Sequence, residues 1–76
     1  MTLNEFISNF ADQLEDTDSS ELTPETRFKD LEEWSSLVAL SIIAMVDDEY
    51  EVELKGDDIR NSDTINDLFN IVSSRV

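Results

Sequence analysis

The chain has 76 residues and carries 19 acidic side chains against five basic ones, a net charge of −14. A chain of this length forms at most one domain, residues 1–76, with one thin core and little room for an enclosed active site. It contains neither cysteine nor histidine, which removes disulfides, thiolate metal sites and the usual general base. These exclusions argue against an enzyme and against a metal centre.

The negative charge also narrows the choice of partners. Binding to nucleic acid or to an anionic membrane surface requires Lys and Arg clusters, so we expect neither. Basic protein surfaces are the partners that this charge favours. No stretch is long and apolar enough to span a bilayer, and the N-terminus lacks the pattern of a secretory signal. We therefore expect a monomer in the cytoplasm.

The N-terminal segment has the pattern of an amphipathic helix. Thr2 and Glu5 fit a capping box, and apolar side chains then recur at helical spacing. The spacing predicts a helix over residues 3–15, followed by a loop over 16–21. The apolar stripe consists of Leu3, Phe6, Ile7, Phe10, Ala11 and Leu14.

A long connection precedes the second helix. Residues 23–26 contain Pro24 and predict a short turn, while Phe28 and Leu31 are spaced to anchor the connection on the core. Connections of this length are uncommon and often functional. The stretch from 16 to 34 is therefore a candidate for a functional role.

The second helix is predicted to begin near Ser35 or Ser36 and to end near Tyr50. Either serine hydroxyl can cap it. From Leu37 to Val46 the sequence is almost entirely apolar. Such a helix is buried on most sides or leaves an exposed patch for a partner, and we expect both here.

The last third of the chain predicts one extended segment and two helices. Residues 50–54 alternate like a strand, but a lone strand has no partner, so we expect a loop that places Val52 and Leu54 on the core. A short helical turn should start at Asp57, and the last helix should cover 65–74. The fold class is then all-α, a small bundle of three main helices and one short helix.

One run of residues resembles a known family. Trp34, Ser35, Ser36 and Leu37 lead into the apolar helix, whose acidic end continues as Asp-Asp-Glu-Tyr-Glu-Val-Glu-Leu over 47–54. This arrangement resembles the acyl carrier proteins, small acidic bundles with Asp-Ser-Leu at the start of the second helix. The similarity covers nearly the whole chain in helix order, length and charge.

The resemblance implies a carrier function for Ser36. A phosphopantetheinyl transferase would attach the 4′-phosphopantetheine arm of coenzyme A to its hydroxyl, and the thiol of the arm would hold acyl groups as thioesters. Acyl-transferring and chain-modifying enzymes with basic docking surfaces would be the partners, in fatty-acid or polyketide-like biosynthesis. Judged without the resemblance, Ser36 is more simply an N-cap, a role compatible with modification.

The sequence departs from the family pattern at several positions. Ser35 replaces the family Asp and Glu33 the family Gly, while Val38 and Ser41 stand where acidic residues are common. The resemblance therefore implies a partner face that is more apolar than in a typical fatty-acid carrier. The expected partner-binding residues are Leu37, Val38, Ser41, Asp47 and Asp48.

A second interpretation stays open at this point. An acidic helical interaction module without a prosthetic group would share this composition and length. Trp34 is either packed at the helix entry or an anchor for a partner. The remaining aromatic and apolar stripe is assigned to the core, and it comprises Phe6, Phe10, Ile43, Tyr50 and Phe69.

Overall fold

The computed structural model describes residues 1–76 and contains four helices and no strand. Helix α1 covers Leu3–Ala11, α2 Ser36–Tyr50, α3 Gly56–Arg60 and α4 Ile65–Arg75. Short 3₁₀ turns at Ser19–Glu21 and Phe28–Asp30 interrupt the long first connection. The predicted all-α bundle of three main helices and one short helix is confirmed. None of the helices has both the length and the apolar character needed to cross a membrane.

Helix α1 starts as predicted but ends earlier. Thr2 Oγ1 accepts a hydrogen bond from the backbone N–H of Glu5 at 3.2 Å, one half of the expected capping box. The prediction of a helix to residue 15 is wrong, because α1 ends at Ala11. The N–H groups of Gln13 and Leu14 bond to carbonyls three residues back, so the chain tightens into a turn. Leu14 nevertheless remains buried.

The connection from α1 to α2 is attached to the rest of the molecule in two ways. Phe28 is fully buried and Leu31 packs against the core, as the sequence predicted. The predicted turn after Thr23 is also present, closed by a 3.0 Å bond from the Thr26 N–H. In addition, the Thr26 carbonyl accepts from the N–H of Ile65 at 3.1 Å. The connection is thus fixed to the start of α4 by backbone hydrogen bonds.

The core is a single cluster of sixteen apolar side chains contributed by all four helices and the connecting segments. Phe6 and Phe10 are fully buried, whereas Ile43, Tyr50 and Phe69 are partly buried and pack against the cluster. The Phe6 ring lies 5.7 Å from Phe69 and 6.1 Å from Tyr50 between centroids. The predicted stripe therefore lies in or against the core.

The segment from Glu51 to Thr64 has the expected extended part and one corrected helix start. Val52 and Leu54 are buried, as predicted. The short helix α3 begins at Gly56, not at Asp57, because the Asp58 carboxylate accepts the N–H of Lys55 at 2.9 Å and so caps the turn one residue earlier.

Helix α4 is capped at its start in the same way. Thr64 Oγ1 accepts the N–H of Asp67, and the Asp67 carboxylate accepts the N–H of Thr64, both at 3.1 Å. This reciprocal pair is a complete capping box. The helix ends at Arg75, one residue beyond the prediction.

Candidate functional site

Two adjacent serines at the start of α2 have different environments. Ser35 is the N-cap: its Oγ accepts the backbone N–H of Val38 at 3.2 Å. Ser36 is the first helical residue, is exposed, and its Oγ makes no hydrogen bond within the protein. The interpretation of Ser36 as the cap is therefore wrong. Of the two adjacent hydroxyls, only that of Ser36 is exposed without a hydrogen bond to the protein.

An aromatic cluster fixes the position where α2 begins. Trp34 stacks on Phe10, with centroids 6.4 Å apart and planes inclined by 9°, and meets Phe28 edge-on at 5.0 Å. Both phenylalanines are fully buried. The Trp34 side chain is half-buried, so its role is packing at the helix entry. The two serines follow directly after this anchored residue.

Glu33 holds the segment before the serines from the other side. Its carboxylate accepts the N–H of Glu15 at 2.7 Å, the N–H of Asp16 at 3.1 Å and the hydroxyl of Thr17 at 2.7 Å. These bonds, led by that from Thr17, lower the pKa of Glu33 from its ordinary value, against a smaller effect of burial. Glu33, at the position where the resemblance implies glycine, is a carboxylate that joins the loop after α1 to the approach to α2.

The charge distribution at the start of α2 suits an anionic group. No acidic side chain lies in the first turn, and no charged side chain occurs from Ser35 to Val46. The first N–H groups of a helix and its dipole favour negative charge at this end. A phosphate attached here would meet donors without a nearby carboxylate on the same helix.

A groove of about 600 Å³ opens beside the serines between α2 and α3. Half of its ten lining residues are apolar, with Leu40 and Ile43 from α2 and Ile59 from α3 among them. Two cationic side chains, Lys29 and Arg60, also line it. The groove therefore brings apolar side chains and two cations close to the exposed hydroxyl.

The expected partner face is divided between exposed and packed residues. Leu37 is 74% exposed and Leu40 is 61% exposed. Val38 packs partly against the core, and Ser41 is half-buried. Leu40 was not among the residues predicted from the sequence, although its position three residues after Leu37 places both on one helix face.

The acidic members of that expected set lie apart from the serines. Asp47 and Asp48 are exposed in the last turn of α2, at the opposite end of a 15-residue helix. The structure therefore does not bring them together with Ser36. A surface that contacted both would have to extend along most of the helix.

The small bundle presents an exposed serine at a helix start beside a partly apolar groove. The family model for the phosphopantetheine attachment site matches residues 4–72. The chain belongs to this family of phosphopantetheine-binding carrier proteins, which confirms the resemblance to acyl carrier proteins. No curated protein and no solved structure matches the sequence at a significant level.

Membership in this family identifies the prosthetic group. Proteins of this family bear 4′-phosphopantetheine covalently on a serine and act as carriers. The residues at the start of α2 fit the group, since a free hydroxyl, a helix start without carboxylates and a partly apolar groove adjoin one another. The arm supplies a terminal thiol, which a chain without cysteine otherwise lacks.

Proposed function

We propose that Ser36 bears the 4′-phosphopantetheine arm and that the protein carries acyl intermediates as thioesters between partner enzymes. The observation that carries this assignment is the contrast between the two serines. The Ser35 oxygen is occupied as the cap of α2, whereas the Ser36 hydroxyl is exposed and unbonded. Leu37 directly after Ser36 also matches the Ser-Leu register of related carriers.

In the bond-forming step of the attachment reaction, this chain supplies the hydroxyl nucleophile. Ser36 Oγ takes the phosphopantetheinyl group from coenzyme A, loses its proton, and 3′,5′-ADP departs with the broken pyrophosphate bond. The transferase supplies the base and the metal chemistry. Ser35 keeps the first turn of α2 formed, and Trp34 fixes its position, so the hydroxyl is presented on a rigid element.

The partners proposed for this carrier are a phosphopantetheinyl transferase and acyl-transferring or chain-modifying enzymes. They would bind the exposed apolar face formed by Leu37 and Leu40, bordered by Val38 and Ser41. Asp47 and Asp48 at the far end of α2 would meet basic residues of the same partner. Because the near end is uncharged, contacts there are apolar, which favours a specialised, polyketide-like pathway over general fatty-acid synthesis.

We further propose that residues 1–76 act as one carrier domain, monomeric and cytoplasmic. The single core cluster draws side chains from every helix, which supports one folding unit. The high net charge of −14 opposes self-association.

The assignment is tested by intact mass after co-expression with a broad-specificity phosphopantetheinyl transferase. The unaltered protein should gain the mass of one phosphopantetheinyl group, Ser36→Ala should gain none, and Ser35→Ala should still be modified. Ser36→Ala should remain folded, because the cap is Ser35. Circular dichroism of each variant checks this point.

Two results would contradict the assignment in different ways. Modification that survives in Ser36→Ala moves the attachment site to another serine. A protein that is folded but never modified, with any transferase tested, would favour the second candidate, an acidic interaction module that works without a prosthetic group.

A further inference from the structure

Positive charge is scarce in this protein, yet two of its cationic side chains, Lys29 and Arg60, line the groove beside Ser36. The chain has only five Lys and Arg residues. Lys29 lines the same groove as Ser35 and Ser36, although it belongs to the turn before α2 and not to the helix itself. Its position therefore depends on the tertiary structure and not on the local helix sequence.

Two contacts fix the Lys29 ammonium. Its Nζ donates to the backbone carbonyl of Arg60, the last residue of α3, at 3.0 Å. It also lies 5.8 Å from the centroid of the buried Phe28 ring. An ammonium has three N–H donors and no acceptor, so the single bond to Arg60 leaves donors for another oxygen.

The charge of Lys29 is not neutralised by a carboxylate. The two ion pairs of the protein join Arg60 to Asp57 and Arg75 to Asp58. Lys29 takes part in neither, although the chain has 19 carboxylates. A held, uncompensated cation in a partly apolar groove is suited to an oxyanion that enters the groove later, because charge-assisted hydrogen bonds are the stronger ones.

We propose that Lys29 binds an oxyanion of the attached arm and so holds the arm against the groove between α2 and α3. The proposal rests on the carrier function assigned above. Two oxyanions have the required chemistry: the phosphodiester at Ser36, and a carboxylate on the acyl group that the arm bears. Both would place negative charge in the groove. Its other cation, Arg60, is already ion-paired with Asp57.

The test measures how much the arm raises the melting temperature, in variants that differ only at Lys29. The apo and the phosphopantetheinylated forms of each variant are compared at low ionic strength, with intact mass establishing that modification is complete. Lys29→Gln should reduce the stabilisation by about 4 °C, the size expected for one partly exposed charge pair in a domain of this length. Lys29→Arg should restore most of it.

Lys55→Gln is the matched control. It removes the same charge from a residue that also lacks an ion pair, but Lys55 lines a different recess, which shares no residue with the groove beside Ser36. Its stabilisation by the arm should equal that of the unaltered protein. The Lys29 effect should also fade in about 1 M salt, where the Debye length is about 3 Å.

Three loaded forms separate the two oxyanions: the free-thiol arm, an acetyl thioester and a succinyl thioester, each attached from the corresponding coenzyme A derivative. If the stabilisation already depends on Lys29 in the free-thiol form, the phosphodiester is the oxyanion that Lys29 binds. A dependence that appears only with the succinyl group identifies a carboxylate of the cargo. If none of the forms depends on Lys29, or if Lys55→Gln behaves like Lys29→Gln, the proposal is overturned while the carrier assignment stands. An absence of any mass gain overturns both.

Discussion

Helix α2 begins in a stretch without charged side chains, from Ser36 to Val46, and ends in three consecutive carboxylates, Asp47, Asp48 and Glu49. The start has a good cap in Ser35 and two exposed leucines close by. The end is followed by Glu51 in the left-handed conformation, with φ at 55°, the only positive φ in the chain. Local interactions therefore stabilise the first end of α2 and destabilise the second.

Tertiary packing compensates for the unfavourable end. Carboxylates near a helix C-terminus are repelled by the helix dipole, and a non-glycine residue in the left-handed region is strained. The side chain of Asn9 donates to the Tyr50 hydroxyl at 2.8 Å, and Val52 is buried directly beyond the turn. Burial is the main cause that raises the pKa of Tyr50.

This contrast indicates that the two ends of α2 have different roles. The start of α2 is capped by Ser35 and presents the Ser36 hydroxyl and an apolar surface. The end retains carboxylates that the helix dipole disfavours. Three predictions, each with a control, test this division.

Removing the cap should have the largest effect on stability. Ser35→Ala leaves the Val38 N–H without its acceptor and should lower the free energy of unfolding by about 1 kcal/mol. Ser35→Asp should preserve stability, since Asp is an equally good cap and is favourable at a helix N-terminus. Urea unfolding of both variants measures the difference.

Ser36→Ala is the control for this prediction, because its hydroxyl makes no hydrogen bond in the protein. A loss in Ser36→Ala equal to that in Ser35→Ala would show that the two serines share the cap, and the distinction between them would fail.

Relief of the strained residue after α2 should raise stability by a smaller amount. Glu51→Gly places glycine where φ is positive and should increase the free energy of unfolding by about 0.5–1 kcal/mol, since glycine adopts this conformation without a steric cost. Thermal melting should then rise by about 4 °C.

Glu53→Gly supplies the comparison for the same loss of charge. Glu53 is exposed in the same extended segment but has a negative φ, so glycine there should be neutral or destabilising. Equal responses at the two positions would mean that charge, and not backbone conformation, decides the outcome at Glu51.

Neutralising the acidic end should have the smallest effect. Asp47→Asn combined with Asp48→Asn removes two charges from the last turn of α2 and should raise stability by about 0.3–1 kcal/mol at low salt. Glu25→Gln with Glu32→Gln removes two exposed charges outside the main helices and should gain less. If the two pairs gain equally, general repulsion within the acidic protein outweighs the helix dipole.

The sequence alone determined the elements whose causes are local. Apolar spacing placed α2 and α4 within one or two residues of their observed limits, and the alternation after Tyr50 correctly assigned Val52 and Leu54 to the core. The motif around Ser36 led to the carrier family, which the family model over residues 4–72 confirms. Periodicity and a short motif can both be read from neighbouring residues.

Only the tertiary structure decided the features that join distant parts of the chain. Helix α1 ends early and its following loop bonds to Glu33, eighteen residues beyond Glu15, and Lys29 reaches the carbonyl of Arg60, 31 residues away. The identity of the cap, Ser35 and not Ser36, also became clear only from the position of each hydroxyl in space. A side chain can satisfy a distant backbone group only after the helices have packed, so these contacts leave no periodic signal in the sequence.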